Sequence, residues 1–322
     1  MAIYEQPFLI YNPFAGGLRR RSHALRRSLE RLASRGIAMQ VMPTTGRGTA
    51  GLLAREALDR GADLIVAAGG DGTINEIING MAGSRVPLGI LPAGTANVLA
   101  NELGMGRGME RAAESLTECV PERIGLGVLS TALGDSPRYF LLMAGAGLDA
   151  EIVYHLNQGL KDALGKVAYW VGGLSRIGRR LAEFTVEADG CSYRASFALV
   201  SRVRNYGGDL EIAPTVSLLD DDFEVVLFEG SNTMPYTKYF LGVLTRSIRG
   251  MRGVTILRTR KALFSGAERG QVYVQVDGES AGVVPASVEF APNALTLLVP
   301  PGFRERRPAR VEDAVWTTSP TR

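Results

Sequence analysis

The chain has 322 residues, 46% hydrophobic and 21% charged, with a net charge of +3, enough length for two domains with separate cores. No apolar run approaches the roughly 20 residues needed to span a bilayer, and residues 1–10 lack the charged and apolar regions of a signal peptide, so a cytoplasmic protein is expected. Cys119 and Cys191 lack a CxxC or Cys/His pattern and His23 and His155 stand alone, which excludes a disulfide framework, a zinc site and a histidine-centred acid–base mechanism.

Residues 7–11 read as a first strand, the sequence NPFAGG as a turn, and residues 18–34 as a basic amphipathic helix, which puts Asn12, Pro13, Gly16 and Gly17 in a strand-to-helix loop. Residues 37–42 form the next strand, and Thr44 lies in the turn that leads to a helix over residues 49–60. The apolar run 64–68 is too short for a useful helix. It feeds the loop Gly69, Gly70, Asp71, Gly72, after which Thr73 opens a helical pattern of Ile74, Ile77, Ile78 and Met81. Such glycines let a ligand approach the backbone, and the amides of the first helical turn favour an anion, most often a phosphate. Thr73 and Glu76 also spell a capping box, which would explain both with no ligand. Asp71 suits either the helix dipole or a magnesium-phosphate. A second loop of the same design follows a strand at 88–91, with Gly94 in the loop and Thr95 as N-cap of a helix ending near Gly104. Two strand–loop–helix units of one parallel sheet place both loops at its carboxyl edge, where open α/β sheets bind ligands.

A helix over 109–117 and a strand reaching 128 precede turn composition at 131–137, which marks the boundary between domains spanning 1–130 and 131–290. Short strands then follow at 139–144, 183–188, 192–200, 224–228, 254–257, 262–265, 271–276 and 287–290, the pattern of an antiparallel sandwich. The stretch 160–182 is amphipathic, 294–299 is again an apolar strand, and the tail 305–322 has the composition of a disordered segment. Within this half, Asp220, Asp221 and Asp222 form an acidic run that can hold a hard cation with a nearby carbonyl, or simply line an exposed turn. Val272, Val274 and Val276 alternate into an Asp277-Gly278 hairpin signal followed by a second carboxylate, Glu279. Arginine clusters (19–21 with 26 and 27; 176, 179 and 180; 246, 249, 252, 258 and 260) lack the aromatic interleaving of a nucleic-acid surface, so nucleic acid is excluded as a partner and anionic lipid headgroups fit better.

GGDGTINEIING and LPAGTAN, with NPFAGG before them and GAGLDAEI, APTVSLLDDDFEVV and VDGES after them, resemble the diacylglycerol kinase and sphingosine kinase catalytic family in its soluble bacterial lipid kinase branch, over about residues 8–302. The resemblance implies an α/β fold of two domains: an N-terminal three-layer Rossmann-like domain carrying the GGDGT loop, rejoined by about residues 291–304, and a C-terminal antiparallel β-sandwich for the lipid. It implies ATP as phosphoryl donor with Mg2+, a lipid hydroxyl as acceptor, association with the membrane periphery, and it allows a homodimer. Nucleotide contacts carry over to Asn12, Pro13, Gly16, Thr44, Gly69, Gly70, Asp71, Gly72, Thr73, Asn75, Glu76, Gly94, Thr95 and Asn97. Glu279 becomes the base, Asp277 supports the water and magnesium network, and Ser217, Asp220 and Asp222 hold a structural magnesium. The sequence departs from the family where Leu18 follows Gly17, at Val98, at Asn101 in place of an arginine, at Asp221 in place of a glycine and at Gly125 in place of an aspartate. Diacylglycerol leads as acceptor, ahead of a sphingoid base, ceramide or other long-chain alcohol. An NAD kinase-like enzyme and a non-catalytic nucleotide or lipid sensor are the readings from other classes.

Overall fold

The computed structural model describes residues 4–16, 18, 22–106, 108–132, 136–155, 181–207, 210–231, 234–267 and 270–306. They fall into two units, one drawn from residues 4–126 and 292–306 and the other from residues 127–291. The amphipathic stretch at 160–182 lies outside the described residues but for its last two, as do Gly17, Arg19, Arg20 and the tail beyond 306.

The first unit alternates strand and helix: β1 (Pro7–Tyr11), α1 (Ser22–Ser34), β2 (Gln40–Pro43), α2 (Thr49–Asp59), β3 (Leu64–Gly69), α3 (Asp71–Met81), β4 (Pro87–Pro92), α4 (Val98–Leu103) and α5 (Met109–Leu116). The strands run parallel in the order β2-β1-β3-β4, and the end of the chain's last strand, at Thr296 and Leu297, pairs in parallel with β4. Right-handed crossovers dictate the layers, because the chain moves one way from β1 to β2 and the other way from β2 through β3 to β4. Accordingly α1 packs with α5, and α2 packs with α3. With both faces covered, β3 is an unbroken apolar run, Leu64 to Ala68, buried at every residue. The reversal of strand order falls between β1 and β3, so the crevice at their carboxyl ends is the switch point where such sheets take ligands.

β5 (Val120–Thr131) carries the chain into the second unit, which continues as β6 (Arg138–Phe140), β7 (Met143–Gly147), α6 (Leu148–His155), β8 (Phe184–Ala188), β9 (Cys191–Ala195), β10 (Phe197–Ser201), the short β11 (Asn205–Tyr206) and β12 (Leu210–Glu211), β13 (Phe223–Phe228), α7 (Met234–Leu244), β14 (Val254–Thr259), β15 (Lys261–Ser265), β16 (Tyr273–Val276), β17 (Glu279–Val283) and β18 (Ala286–Val299). One antiparallel sheet has the order β14-β13-β10-β7-β16-β17. The first residues of β18 pair with β15, which continues through β8 to β9. Inward-facing residues of the two sheets, among them Val186, Phe264 and Val288 against Val200, Val225 and Val274, make one buried core.

Three expectations are corrected here. The predicted strand 139–144 is two strands, because the amides of Leu141, Leu142 and Met143 turn to the Asp277 carboxylate instead of a ladder. The predicted strand 192–200 is also two, since the chain changes sheets at Ser196, whose amide and hydroxyl bind the Phe228 and Gly230 carbonyls. The two strands read at 287–290 and 294–299 are one, β18, which passes through a left-handed residue at Asn293 (φ 50°).

Helices α2 and α3 meet backbone to backbone. A Cβ on Gly80 would lie 2.2 Å from the Gly51 carbonyl oxygen, and one on Gly51 would lie 2.7 Å from that of Glu76. Gly80→Ala therefore sets an overpacking penalty of up to about 3 kcal/mol against roughly 1 kcal/mol of regained helix propensity. Net destabilisation of about 2 kcal/mol is expected, measured as a lower urea midpoint at unchanged m-value.

Candidate active site: two glycine loops and an acidic hairpin

The carboxyl ends of β1, β3 and β4 are stitched together by main-chain bonds that prolong the ladder. The Asn12 amide donates to the Ala68 carbonyl (3.0 Å), Ala93 to Gly69 (2.9 Å), and the buried Thr44 to Tyr11 (2.9 Å). Asn12 folds its own turn by accepting from the Phe14 amide (2.9 Å), and its Nδ2 reaches Thr73 Oγ1 at 3.4 Å. Side chains are absent where the loops touch. A Cβ on Gly94 would lie 2.6 Å from Gly70 Cα, and one on Gly69 would lie 2.6 Å from Thr73 Cβ. Glycine at these positions is thus required by close approach as well as by any ligand.

Asp71 joins the two loops. It is the first residue of α3, and its carboxylate accepts from the Val98 and Leu99 amides (3.1 and 3.2 Å), the first of α4. It is the cap of a helix in another loop. Asn97, in the left-handed region at φ 47°, closes the turn before α4 by accepting from the Gly94 amide and donating to its carbonyl (2.8 and 2.9 Å). Burial pushes the Asp71 carboxyl above its ordinary range, and the amides of Val98, Leu99, Asp71 and Asn97 push it back.

These bonds overturn both expected helix starts. α3 begins at Asp71 and not at Thr73, with the Ile74 amide bonded to the Gly70 carbonyl. α4 begins at Val98 and not at Thr95, because Asp71 supplies the acceptor its first amides need. Nor is there a capping box: the Glu76 carboxylate accepts from Gly48 and Ala50 (2.8 and 3.1 Å) at the start of α2. Asn75 is buried along α3, where Asn79 Nδ2 donates to its carbonyl (2.9 Å). The structure brings Asn12, Pro13, Gly16, Thr44, Gly69, Gly70, Asp71, Gly72, Thr73, Gly94, Thr95 and Asn97 to one edge of the sheet, and sets Asn75 and Glu76 behind it. Asn101, in place of a basic residue, donates to the Ala96 carbonyl (3.0 Å) and so braces the second loop.

In the second unit, Asp277 and Gly278 form the predicted two-residue hairpin turn between β16 and β17, both at positive φ (47° and 82°). The Asp277 carboxylate accepts from Leu141, Leu142 and Met143 at 2.9–3.2 Å, which fixes the turn to β7. Glu279 follows at the turn's exit, its carboxylate ion-paired with Arg138 at 3.2 Å while Arg138 also holds the Ser280 carbonyl (3.1 Å).

Behind the turn lies a group to which the motif reading gave no role. Asp149 of the GAGLDAEI segment is fully buried, bonded to the Tyr206 hydroxyl and to Gln275 Nε2 (2.7 Å). Gln275 Oε1 in turn accepts from the Gly278 amide (2.8 Å). Gly145 makes the room, since a Cβ there would lie 1.7 Å from Asp149 Oδ2. The cue in sequence was a small residue spaced four before a carboxylate. Burial raises the Asp149 carboxyl to about 6, against the bonds from Tyr206 and Gln275.

The expected metal ligands Ser217, Asp220 and Asp222 do come together, but around an arginine. Arg258 Nη2 bonds both Asp220 Oδ2 (2.5 Å) and Asp222 Oδ1, and the Ser217 amide caps Asp220 Oδ2 (3.0 Å). Among the described residues no group of three or more His, Cys, Asp or Glu side chains is arranged to hold a metal ion. This donor set does not fit a resident magnesium.

A pair of glycine loops beside the switch point of a parallel sheet, followed in the chain by an antiparallel sandwich with an acidic hairpin, is the two-domain architecture of the kinases this chain resembles. Residues 6–129 match the diacylglycerol kinase catalytic domain model, and residues 143–299 match the YegS C-terminal NAD kinase beta sandwich-like domain model. A Bacillus subtilis diacylglycerol kinase is 32% identical over 289 residues, covering 86% of this chain and 90% of that protein. One from Staphylococcus haemolyticus is 28% identical over 291 residues, covering 87% and 83%. A diacylglycerol kinase crystal structure from Bacillus anthracis shares the fold at a TM-score of 0.74 and 23% identity, covering 94% of this chain and 99% of that one. The chain belongs to the soluble bacterial diacylglycerol kinase family.

The raised Asp149 pKa has a signed consequence. The folded protein holds this proton more tightly than the unfolded chain does, so the contribution to stability is complete below about pH 4 and is lost as pH rises through about 6. Between about pH 5 and pH 7 the wild type should lose roughly 1 kcal/mol relative to Asp149→Asn, read from paired urea titrations at both pH values.

Proposed function

We propose that this protein is an ATP-dependent lipid kinase that transfers the γ-phosphoryl group of magnesium-ATP to the hydroxyl of diacylglycerol. The observation that carries this reading is the Asp71 bridge, which holds the glycine loops after β3 and β4 edge to edge beside the switch point of the sheet. Amides of the first turn of α3 bind phosphate oxygens as they do at other helix starts. Asn12, Pro13, Gly16, Gly69, Gly70, Gly72, Thr73, Gly94, Thr95 and Asn97 line that cradle, Thr44 flanks it, and Asn75 and Glu76 hold α3 in place beneath it. Asp71 keeps the loops in register and handles the magnesium that arrives with the nucleotide.

Glu279 is the base in this reading. It takes the proton of the acceptor hydroxyl as that oxygen bonds to the γ-phosphorus and the bond to the β-phosphate oxygen breaks, releasing ADP. Asp277 and the Arg138 pair fix the carboxylate's position, which is the larger part of catalysis when the transferred group needs mainly orientation and charge stabilisation. The names of the relatives support diacylglycerol as acceptor.

A lipid acceptor calls for work at a membrane surface, and α7 supports that part of the reading. Among the described residues no helix is long and apolar enough to cross a membrane. Leu241 and Leu244 are nevertheless 59% and 50% exposed, and Arg246, Arg249 and Arg252, also exposed, follow directly. Apolar side chains beside basic ones suit an anionic interface. Of the sequence cluster, Arg258 and Arg260 do not belong to this surface: Arg258 lies among buried carboxylates, and Arg260 binds the Asp221 carbonyl at 2.8 Å. Arg27 and Arg31 of α1 are likewise paired with Glu110.

With radiolabelled ATP and a total lipid extract, thin-layer separation should show label in phosphatidic acid. Label in NADP when NAD is added, with none in any lipid, or binding of ATP with no transfer to any lipid, overturns the assignment. Glu279→Gln should lower kcat by at least about a hundredfold while nucleotide affinity stays within about twofold, and full activity in that variant removes its role as base. Leu241→Ser with Leu244→Ser should weaken co-sedimentation with phosphatidylglycerol vesicles and leave activity on detergent-dispersed diacylglycerol unchanged.

A further inference from the structure

The acidic turn before β13 is where the family resemblance expects a structural divalent cation, and its surroundings are unusual for such a site. Asp220 and Asp222 are buried, as is Glu224 beyond them, with its carboxylate on the Thr215 amide and hydroxyl (both 2.8 Å). Hard cations take carboxylate and carbonyl oxygens together. Here both kinds are already engaged by guanidinium groups. Arg258 Nη2, from β14, bridges Asp220 and Asp222, with Nη1 4.0 Å from Glu224 Oε2. Arg202, fully buried after β10, donates to the Leu218 and Asp220 carbonyls at 2.7 and 3.3 Å.

We propose that Arg258, with Arg202 behind it, is a built-in cation that takes the place of a structural magnesium, so that this chain folds and holds its acidic turn without a resident metal. An ion bridging the two aspartates would have to stand between Asp220 Oδ2 and Asp222 Oδ1, the place that Arg258 Nη2 occupies. Arg202 and Arg258 already bring their charges to these carboxylates and carbonyls, so a divalent ion would have to displace a guanidinium to reach the aspartate oxygens. Asp221, where relatives carry glycine, has its carbonyl on Arg260 and stays outside the cluster.

The inference is independent of the kinase reading, because its test needs no nucleotide and no turnover. The full-length, nucleotide-free protein is titrated with MnCl2 while free Mn2+ is followed by electron paramagnetic resonance, and its thermal midpoint is compared in EDTA and in MgCl2. The wild type should show no saturable Mn2+ site and one midpoint in both buffers. Arg258→Met exposes the carboxylates to each other, and should acquire one Mn2+ per chain with a midpoint that rises in MgCl2; Arg258→Lys keeps the charge and should stay indifferent to metal. One saturable Mn2+ per wild-type chain, together with a midpoint raised by MgCl2, overturns the proposal, and so does a folded Arg258→Met variant that acquires no site. Should the Met variant fail to fold in either buffer, the wild-type titration decides alone.

Discussion

A single carboxylate sets the geometry on which the first unit's chemistry depends. Asp71 lies one residue inside its own helix yet spends its oxygens on the first amides of another, at Val98 and Leu99. Charge-assisted bonds of this kind contribute about 1.5–3 kcal/mol each when the donors are otherwise unpaired. The larger effect is geometric. With no side chain at Gly70 or Gly94 the loops stand in backbone contact, and Asp71 fixes their spacing. Sites that stabilise a migrating phosphoryl group work by preorganised dipoles, so a bridge that removes freedom between two amide-lined loops acts directly on the chemistry.

The second unit uses the same device with a different sequence. Asp277 gathers three consecutive amides from the β6–β7 connection, and Gln275, oriented by Asp149, takes the amide of Gly278. The hairpin that carries Glu279 is thus held from two directions, by the half-buried Asp277 and by the buried Gln275 and Asp149, each with its partner. Such groups are costly to bury alone and specify one arrangement when satisfied.

Much of this was legible in the residues, and what was not has a physical pattern. The strands β1, β3 and β4 and the glycine loops follow from apolar runs ending in Gly-rich punctuation, and the Asp277-Gly278 turn from its dipeptide. Helix starts were misplaced at Thr73 and Thr95 because local capping rules assume that a helix is capped by its own neighbours, whereas here Asp71 caps across 27 positions. Glu76 misled for the same reason, since its acceptors serve α2. Asp149 offered only the small residue four positions before it and Arg258 no signal at all: one is a carboxylate in a small-residue segment, the other one arginine among several, and only the fold shows the first buried and the second half-buried against partners far away in the chain. Periodicity reports which face is apolar, and it is silent on polar groups satisfied at long range.

β18 has a consequence for how the molecule is made. Its first residues lie beside β15, and its last beside β4, so the parallel sheet begun by β1 to β4 is completed by Thr296 and Leu297, far along the chain. Until then the outer edge of β4 presents unpaired amides and carbonyls, the kind of edge that recruits stray strands. The first unit does not correspond to one uninterrupted segment of the gene, and cutting the message after residue 126 would leave that unit without the strand that pairs with β4. The first unit waits on the ribosome to deliver the strand that pairs with β4.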